Sequence, residues 1–222
     1  MEDFELLFFC AFLPSVVFWT CAGALHLCGV NRHYNGPVML SEMIRSQLTV
    51  DVLQTAGALM RLYVLGHTST RCSIFNIILG VLGIDLVEYW LHRSEHRIVA
   101  LYIIHKQHHR LVPVHTLGTF YNDWRQILFD ASVLSLLILC LDLTMVEVAV
   151  VSSIAVIGTV HDHWPSAPHQ PLTRHERHHQ SGPNADFSQP FSGFWDWVFG
   201  TQVKDSYPLR VDNQPSFKGR TD

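Results

Sequence analysis

The chain has 222 residues, of which 48% are hydrophobic and only 15% charged, with a formal net charge of -4 and a mean hydropathy of +0.18. That balance is too apolar for an ordinary water-soluble domain and lacks the basic surface that nucleic-acid binding needs, so it points to a membrane protein with no nucleic-acid role. Its 15 histidines equal all its Lys and Arg together, and they are the anomaly to explain.

In chain order, "MEDFELLFF" carries acids where a cleaved signal needs a basic start, so residues 4–30 read as a retained membrane span of the roughly 20 apolar residues a bilayer requires. Residues 31–47 are polar and hold Gly36-Pro37, a loop signal. Residues 48–66 read as a second span, blemished by Asp51 and Arg61, and residues 74–91 as a third that runs into the first histidines. Residues 127–158 are apolar for too long to be one crossing and are interrupted by Asp142 and Glu147, which predicts a helical hairpin or two abutting helices. From residue 161 the chain turns polar and Pro-rich and lies outside the bilayer. Cys10, Cys21, Cys28, Cys72 and Cys140 mostly sit in apolar runs without a CxxC pair, as small hydrophobes rather than a disulfide framework.

The expected architecture is an all-α, integral-membrane bundle of about four transmembrane helices with a helical cap. Eleven of the 15 Lys and Arg follow from Arg93 onward, none of them within 127–158, so the positive-inside rule puts the cap in the cytosol. The chain reads as one domain: membrane helices over 1–83, a catalytic region over 84–201 and a polar tail over 202–222.

The stretch "LVEYWLHRSEHRIVALYIIHKQHHR" places His92, His96, His105, His108 and His109 within eighteen residues. His161 follows in "VHDH", and a second HxxHH supplies His175, His178 and His179. Residues three or four apart share a helix face, and neutral imidazole is the commonest transition-metal ligand, so these nine are the candidate ligands. One iron or zinc takes about four to six donors, so nine imidazoles suit two metals. Asp85, Tyr89, His92 and His96 fall on one stripe, which makes Asp85 and Tyr89 candidates to orient a ligand ring through its outer nitrogen. Glu88 and Asp162 are placed to do the same, and His163 is open between that role and none. His26, His33, His67, His115 and His169 read as core or interfacial residues. No GxSxG, Walker or GxGxxG motif occurs. Trp195, Trp197 and Phe199 in "FWDWVFG" read equally as an interfacial anchor or as cap core.

"DLVEYWLHRSEH" resembles the DxxxYWxHRxxH opening of the fatty acid hydroxylase/sterol desaturase superfamily, integral-membrane di-metal oxygenases. "HKQHH", "VHDH" and "RHERHHQSGPNADFSQPFSGFWDWVFGT" resemble its later elements, the last closing on Trp195, Asp196, Phe199, Gly200 and Thr201, so that the likeness spans 84–201. This chain has "FYNDW" where many members have His-Pro-x-Glu, and HDH for HDG. It lacks an HxxxH third element, which leans toward the sterol-desaturase branch.

The resemblance implies a non-haem di-iron enzyme, with zinc an alternative occupant of purified protein, that hydroxylates or desaturates an apolar lipid, sterol or terpenoid-like substrate. It further implies dioxygen, two electrons from NAD(P)H through cytochrome b5 or a comparable carrier, and residence in the endoplasmic reticulum membrane. The alternatives are a di-metal protein catalysing an isomerisation or cyclisation, and a non-catalytic metal-binding membrane protein. The histidines sit at span ends rather than within spans, which favours catalysis over transport.

Overall fold

Three of the helices start on capping side chains. Ser73 caps the helix that follows it, Asp123 accepts from the Arg125 amide, and Thr144 with Glu147 forms a capping box. The resulting computed structural model describes residues 2–32, 34–64, 66, 69–167, 170–181, 185–191 and 193–203. His33, His67 and His169, and the expected polar tail from residue 204, lie outside the described residues.

The described residues form helices only: α1 Glu2–Leu27, α2 Leu40–Tyr63, α3 Ile74–Arg97, α4 Val99–His105, α5 Trp124–Cys140, α6 Met145–Asp162, α7 Arg174–Ser181 and α8 Phe194–Phe199, with 3-10 turns at His108–Arg110 and Thr116–Gly118. The apolar run over 127–158 is indeed two helices, broken between α5 and α6, and each of them packs against α3. Among the described residues three helices, α1, α3 and α6, are long and apolar enough to cross a membrane. About four were expected. The expected second span is a more polar helix, because α2 carries Glu42, Arg45, Asp51 and Arg61, and α5 has 17 residues, roughly 25 Å at about 1.5 Å per residue.

α1, α3 and α6 run in one direction, and α2 and α5 in the other. At one end Leu7, Leu62 and Met145 pack together. There Glu147 accepts from the Ser73 amide (2.8 Å) and from Asn76 (3.0 Å), which ties the start of α3 to the start of α6. At the other end Phe18 and Ala22 of α1 pack with Met43 of α2, Val156 and Val160 of α6, and Leu111, Leu117 and Tyr121 of the cap. α3 and α6 thus both deliver their C-terminal ends, the negative poles of their dipoles, to the cap. Leu6, Phe9, Phe75, Ile78, Leu82 and Leu136 stay exposed on the bundle, as lipid-facing side chains do.

Gly158 sets how closely α6 approaches the loop before α8, since a Cβ there would lie 2.7 Å from the Pro190 carbonyl oxygen. Gly158→Val is expected to cost about 1–3 kcal/mol through this overlap, read as earlier thermal unfolding in detergent. Gly57→Ala, with nothing within 4 Å of the added carbon, is expected to unfold no earlier than the wild type.

Candidate metal centre

The HxxxH pair of α3, the two HxxHH boxes and the end of α6 meet in the cap, where their imidazoles sort into two groups. His92, His96, His105, His109 and His178 form one; His108, His163, His175 and His179 form the other, and within each group one nitrogen per ring lies within 4.8 Å of all the rest. Each HxxHH box is divided between the groups. The i and i+4 positions go together, His175 with His179 on one face of α7, and His105 at the end of α4 with His109 in the 3-10 turn that follows, while the i+3 residues His108 and His178 turn to the opposite group.

In both groups the atoms that converge are Nε2. His96 Nε2 stands 3.3 Å from His92, 3.1 Å from His105, 3.1 Å from His109 and 3.0 Å from His178. In the second group the separations are 3.4 Å for His163–His108, 3.1 Å for His175–His163, 3.1 Å for His179–His108 and 2.9 Å for His179–His175. Donors held at about 2.0–2.1 Å from one metal stand about 3.0 Å apart at right angles and about 3.4 Å apart at the tetrahedral angle. The spacing is that of a coordination polyhedron.

The other ring nitrogens decide the protonation. Nδ1 of His92 faces the Phe187 carbonyl (2.9 Å), Nδ1 of His163 that of Thr159 (2.9 Å), Nδ1 of His178 that of Ala185 (2.7 Å), and Nδ1 of His108 that of Tyr121 (3.4 Å). A carbonyl only accepts, so the proton of each neutral ring sits on Nδ1, and Nε2 presents a lone pair to its neighbours. His163 and His108 then aim two lone pairs at each other, an arrangement that a cation between them relieves. Burial first, and neighbouring imidazoles next, hold His105, His109, His175 and His179 well below the ordinary histidine range, and burial takes His163 down to about 4. All five are neutral at pH 7, the form in which imidazole binds a metal.

Two candidate residues change places relative to the sequence reading. His161 is not in either group; its side chain is 76% exposed, with Nδ1 3.9 Å from Asp162. His163 is fully buried and takes the place expected of His161. α6 ends at Asp162, and His163, with φ -90° and ψ 11°, leaves the helix and turns inward. Of the expected orienting residues, Asp85 lies beside Trp195 and Phe191, and Asp162 bonds to none of the converging rings. Tyr89 acts at one remove: its hydroxyl takes a bond from Arg93 (2.9 Å) and pairs with Thr201 (3.1 Å), and its ring packs on Phe187, whose carbonyl anchors His92. Glu88 lines a cavity below the site rather than orienting a ring.

The residues that do orient rings escaped the sequence reading. Glu95 accepts from His105 Nδ1 (3.1 Å) and from Gln126 (2.7 Å), and Gln189 reaches His175. Asp196, wholly buried, accepts from the amides of Phe187 (2.9 Å) and Ser188 (2.8 Å) and from the Thr201 hydroxyl (2.7 Å), so the "FWDWVFGT" segment fixes the loop that holds His92. Trp197, 69% exposed, and Phe194 point outward, as an interfacial anchor would, while Phe199 stacks on Tyr89. His115 caps a turn by accepting from the Leu117 amide (3.1 Å), and His26 packs against it; both are the bystanders expected.

Below the rings a cavity of about 320 Å³ opens between α1, α2, α3, α5 and α6. His92, His105 and His108 form its ceiling, and its walls are mostly apolar, with Ile84, Leu91 and Leu134 among them. A buried pair of candidate metal positions therefore faces a slot suited to a hydrocarbon chain.

Comparison with known proteins agrees. Residues 77–201, more than half of the chain, match the family model for fatty acid hydroxylases. A sphingolipid C4-hydroxylase of Saccharomyces cerevisiae is 33% identical over 144 residues, covering 60% of this chain and 41% of that protein. Sphinganine C4-monooxygenase 2 of Arabidopsis thaliana is 28% identical over 233 residues, with 90% of each chain covered. A very-long-chain aldehyde decarbonylase of Oryza sativa subsp. indica is 28% identical over 241 residues, covering 94% of this chain and 93% of that protein. The chain thus spans less than half of the yeast relative and most of the two plant relatives. No solved structure is matched. With the histidine order, the divided boxes and the family match in agreement, the chain belongs to the fatty acid hydroxylase family of the fatty acid hydroxylase/sterol desaturase superfamily.

Proposed function

We propose that this protein is a membrane-bound di-iron oxygenase that hydroxylates or desaturates a long-chain lipid. The observation that carries this reading is the convergence of nine Nε2 atoms, five and four, at the closed end of an apolar cavity. All nine donors are neutral imidazoles, a set that suits iron or zinc. Two irons held there by the nine rings would activate dioxygen with two electrons supplied from outside, the chemistry that an unactivated C–H bond requires. The chain's own residues shape the reaction: His92, His105 and His108 admit the chain from below, the carbonyls of Phe187, Thr159 and Ala185 hold the rings, and the cap excludes water.

With no nucleotide-binding motif, the electrons come from NAD(P)H through cytochrome b5 or a similar carrier. Arg97 and Lys106, exposed on the cap, offer such a carrier a cationic face. The excess of Lys and Arg on the same side supports a cytosolic cap on an endoplasmic reticulum membrane. The near full-length likeness to an aldehyde decarbonylase supports a second reading, in which the same centre acts on an aldehyde.

His163→Ala is expected to lower the metal content of purified protein, measured by elemental analysis, from two atoms per chain toward one, while His161→Ala leaves it unchanged. Equal metal loss in both variants would show that the ligand set is wrongly drawn. For activity, His178→Ala is expected to abolish dioxygen-dependent product formation, assayed by mass spectrometry of lipids from cells expressing each form. Products that persist in His178→Ala, or that form equally without dioxygen, would sink the oxygenase reading.

A further inference from the structure

Four of the converging rings are held from outside by backbone carbonyls, but His105 is held by side chains. Glu95 accepts from His105 Nδ1 at 3.1 Å through one oxygen and from the Gln126 amide nitrogen at 2.7 Å through the other. The same amide nitrogen lies 3.0 Å from His105 Nδ1. A carboxylate only accepts, so both nitrogens present their hydrogens to Glu95, and the three groups close a triangle in which none is more than 4% exposed. α3 supplies the acid, one residue before His96, and α5 supplies the amide from its first turn. In the four-ring group the outer nitrogens of His108 and His163 face the Tyr121 and Thr159 carbonyls, and that of His175 meets Gln189, all uncharged partners.

The sequence around Gln126 departs from the superfamily pattern at this point. With "FYNDW" in the place of His-Pro-x-Glu, Asp123 stands where that element has its His, and Gln126 where it has its Glu. The position on α5 that lies within reach of His105 Nδ1 therefore carries a neutral amide, and the acid comes from α3. We infer that Glu95 is a positioning residue for His105, transposed onto α3 from the place that Gln126 fills on α5, and that it governs the five-ring metal position and not the four-ring one. This rests on the proposed pair of metals and makes the two inequivalent. A carboxylate on the outer nitrogen of a ligating imidazole fixes its tautomer, orients the ring and strengthens it as a donor; a backbone carbonyl brings no charge. The triangle is also reciprocal. Exchanging the two side chains puts a carboxyl oxygen where the Gln126 nitrogen stands, 3.0 Å from Nδ1, and an amide where Glu95 stands.

The test is chelator competition on full-length protein in detergent, loaded with zinc, with the zinc retained per chain followed as chelator is raised. Glu95→Gln is expected to release one zinc at chelator concentrations about 10–100-fold below those the wild type needs, and the other zinc as the wild type does. Combined with His163→Ala, it is expected to weaken the zinc that remains. The double variant Glu95→Gln with Gln126→Glu is expected to restore wild-type release, a rescue that a merely structural role for Glu95 does not provide. Should either variant fail to fold, Gln126→Leu, which keeps Glu95 on His105 and removes only its brace, is expected to release the same zinc about 2–10-fold earlier, the worth of one neutral hydrogen bond. Equal weakening of both zincs, no weakening of either, a folded double variant as weak as Glu95→Gln, or Gln126→Leu without effect would overturn the inference. Selective release without dioxygen-dependent product would keep it and remove the oxygenase reading; dioxygen-dependent product with zinc release unchanged in Glu95→Gln would do the reverse.

Discussion

Everything else in this molecule is arranged around a repulsion. His163 and His108, each fixed as an Nδ1 donor by a backbone carbonyl, aim their Nε2 lone pairs at one another across 3.4 Å. A protein tolerates such contacts where cations sit among the donors, and the Nε2 spacing suits metal at about 2.0–2.1 Å. Divided between two such positions, the nine rings would give each metal an all-nitrogen, uncharged set, and the positive charge of the ions would be left to the helix C-termini and nearby carboxyl groups to balance.

The bundle serves that requirement. α3 and α6 are locked together at the far end by Glu147, a buried carboxylate that also caps α6, and run alongside each other until His92, His96 and His163 emerge in the cap. The short α7 and the Asp196-centred loop close the site from the other side, and Gly158 lets that loop lie against α6. Between the helices remains a mostly apolar slot beneath the rings.

Much of this was legible in the sequence, and what was missed shares one cause. The HxxxH spacing reveals a shared helix face, and the overlong apolar run over 127–158 reveals two helices, because both are local properties of the chain. The choice between His161 and His163 depends on where α6 stops. A helix advances about 100° per residue, so continuing it through residue 163 would have aimed a different ring inward. The division of each box between two groups, and the roles of Glu95, Gln126 and Gln189, arise where elements distant in sequence meet. Asp85 shares a stripe with His92 and His96 yet lies turns away from the rings, and a stripe carries no information about depth. α2 was read as a span from its apolar content, while Glu42, Arg45, Asp51 and Arg61 make it the most polar of the long helices.

The most direct measurement is X-ray absorption fine structure at the metal edge of purified, full-length protein, combined with metal counting on the same sample. Two metals per chain, each with a first shell of nitrogen or oxygen at about 2.0–2.1 Å and the outer-shell scattering of four to five imidazoles, is the predicted result. A single metal per chain, a sulfur shell, or only one or two imidazoles per metal would contradict the two-centre arrangement and, with it, the oxygenase reading built upon it.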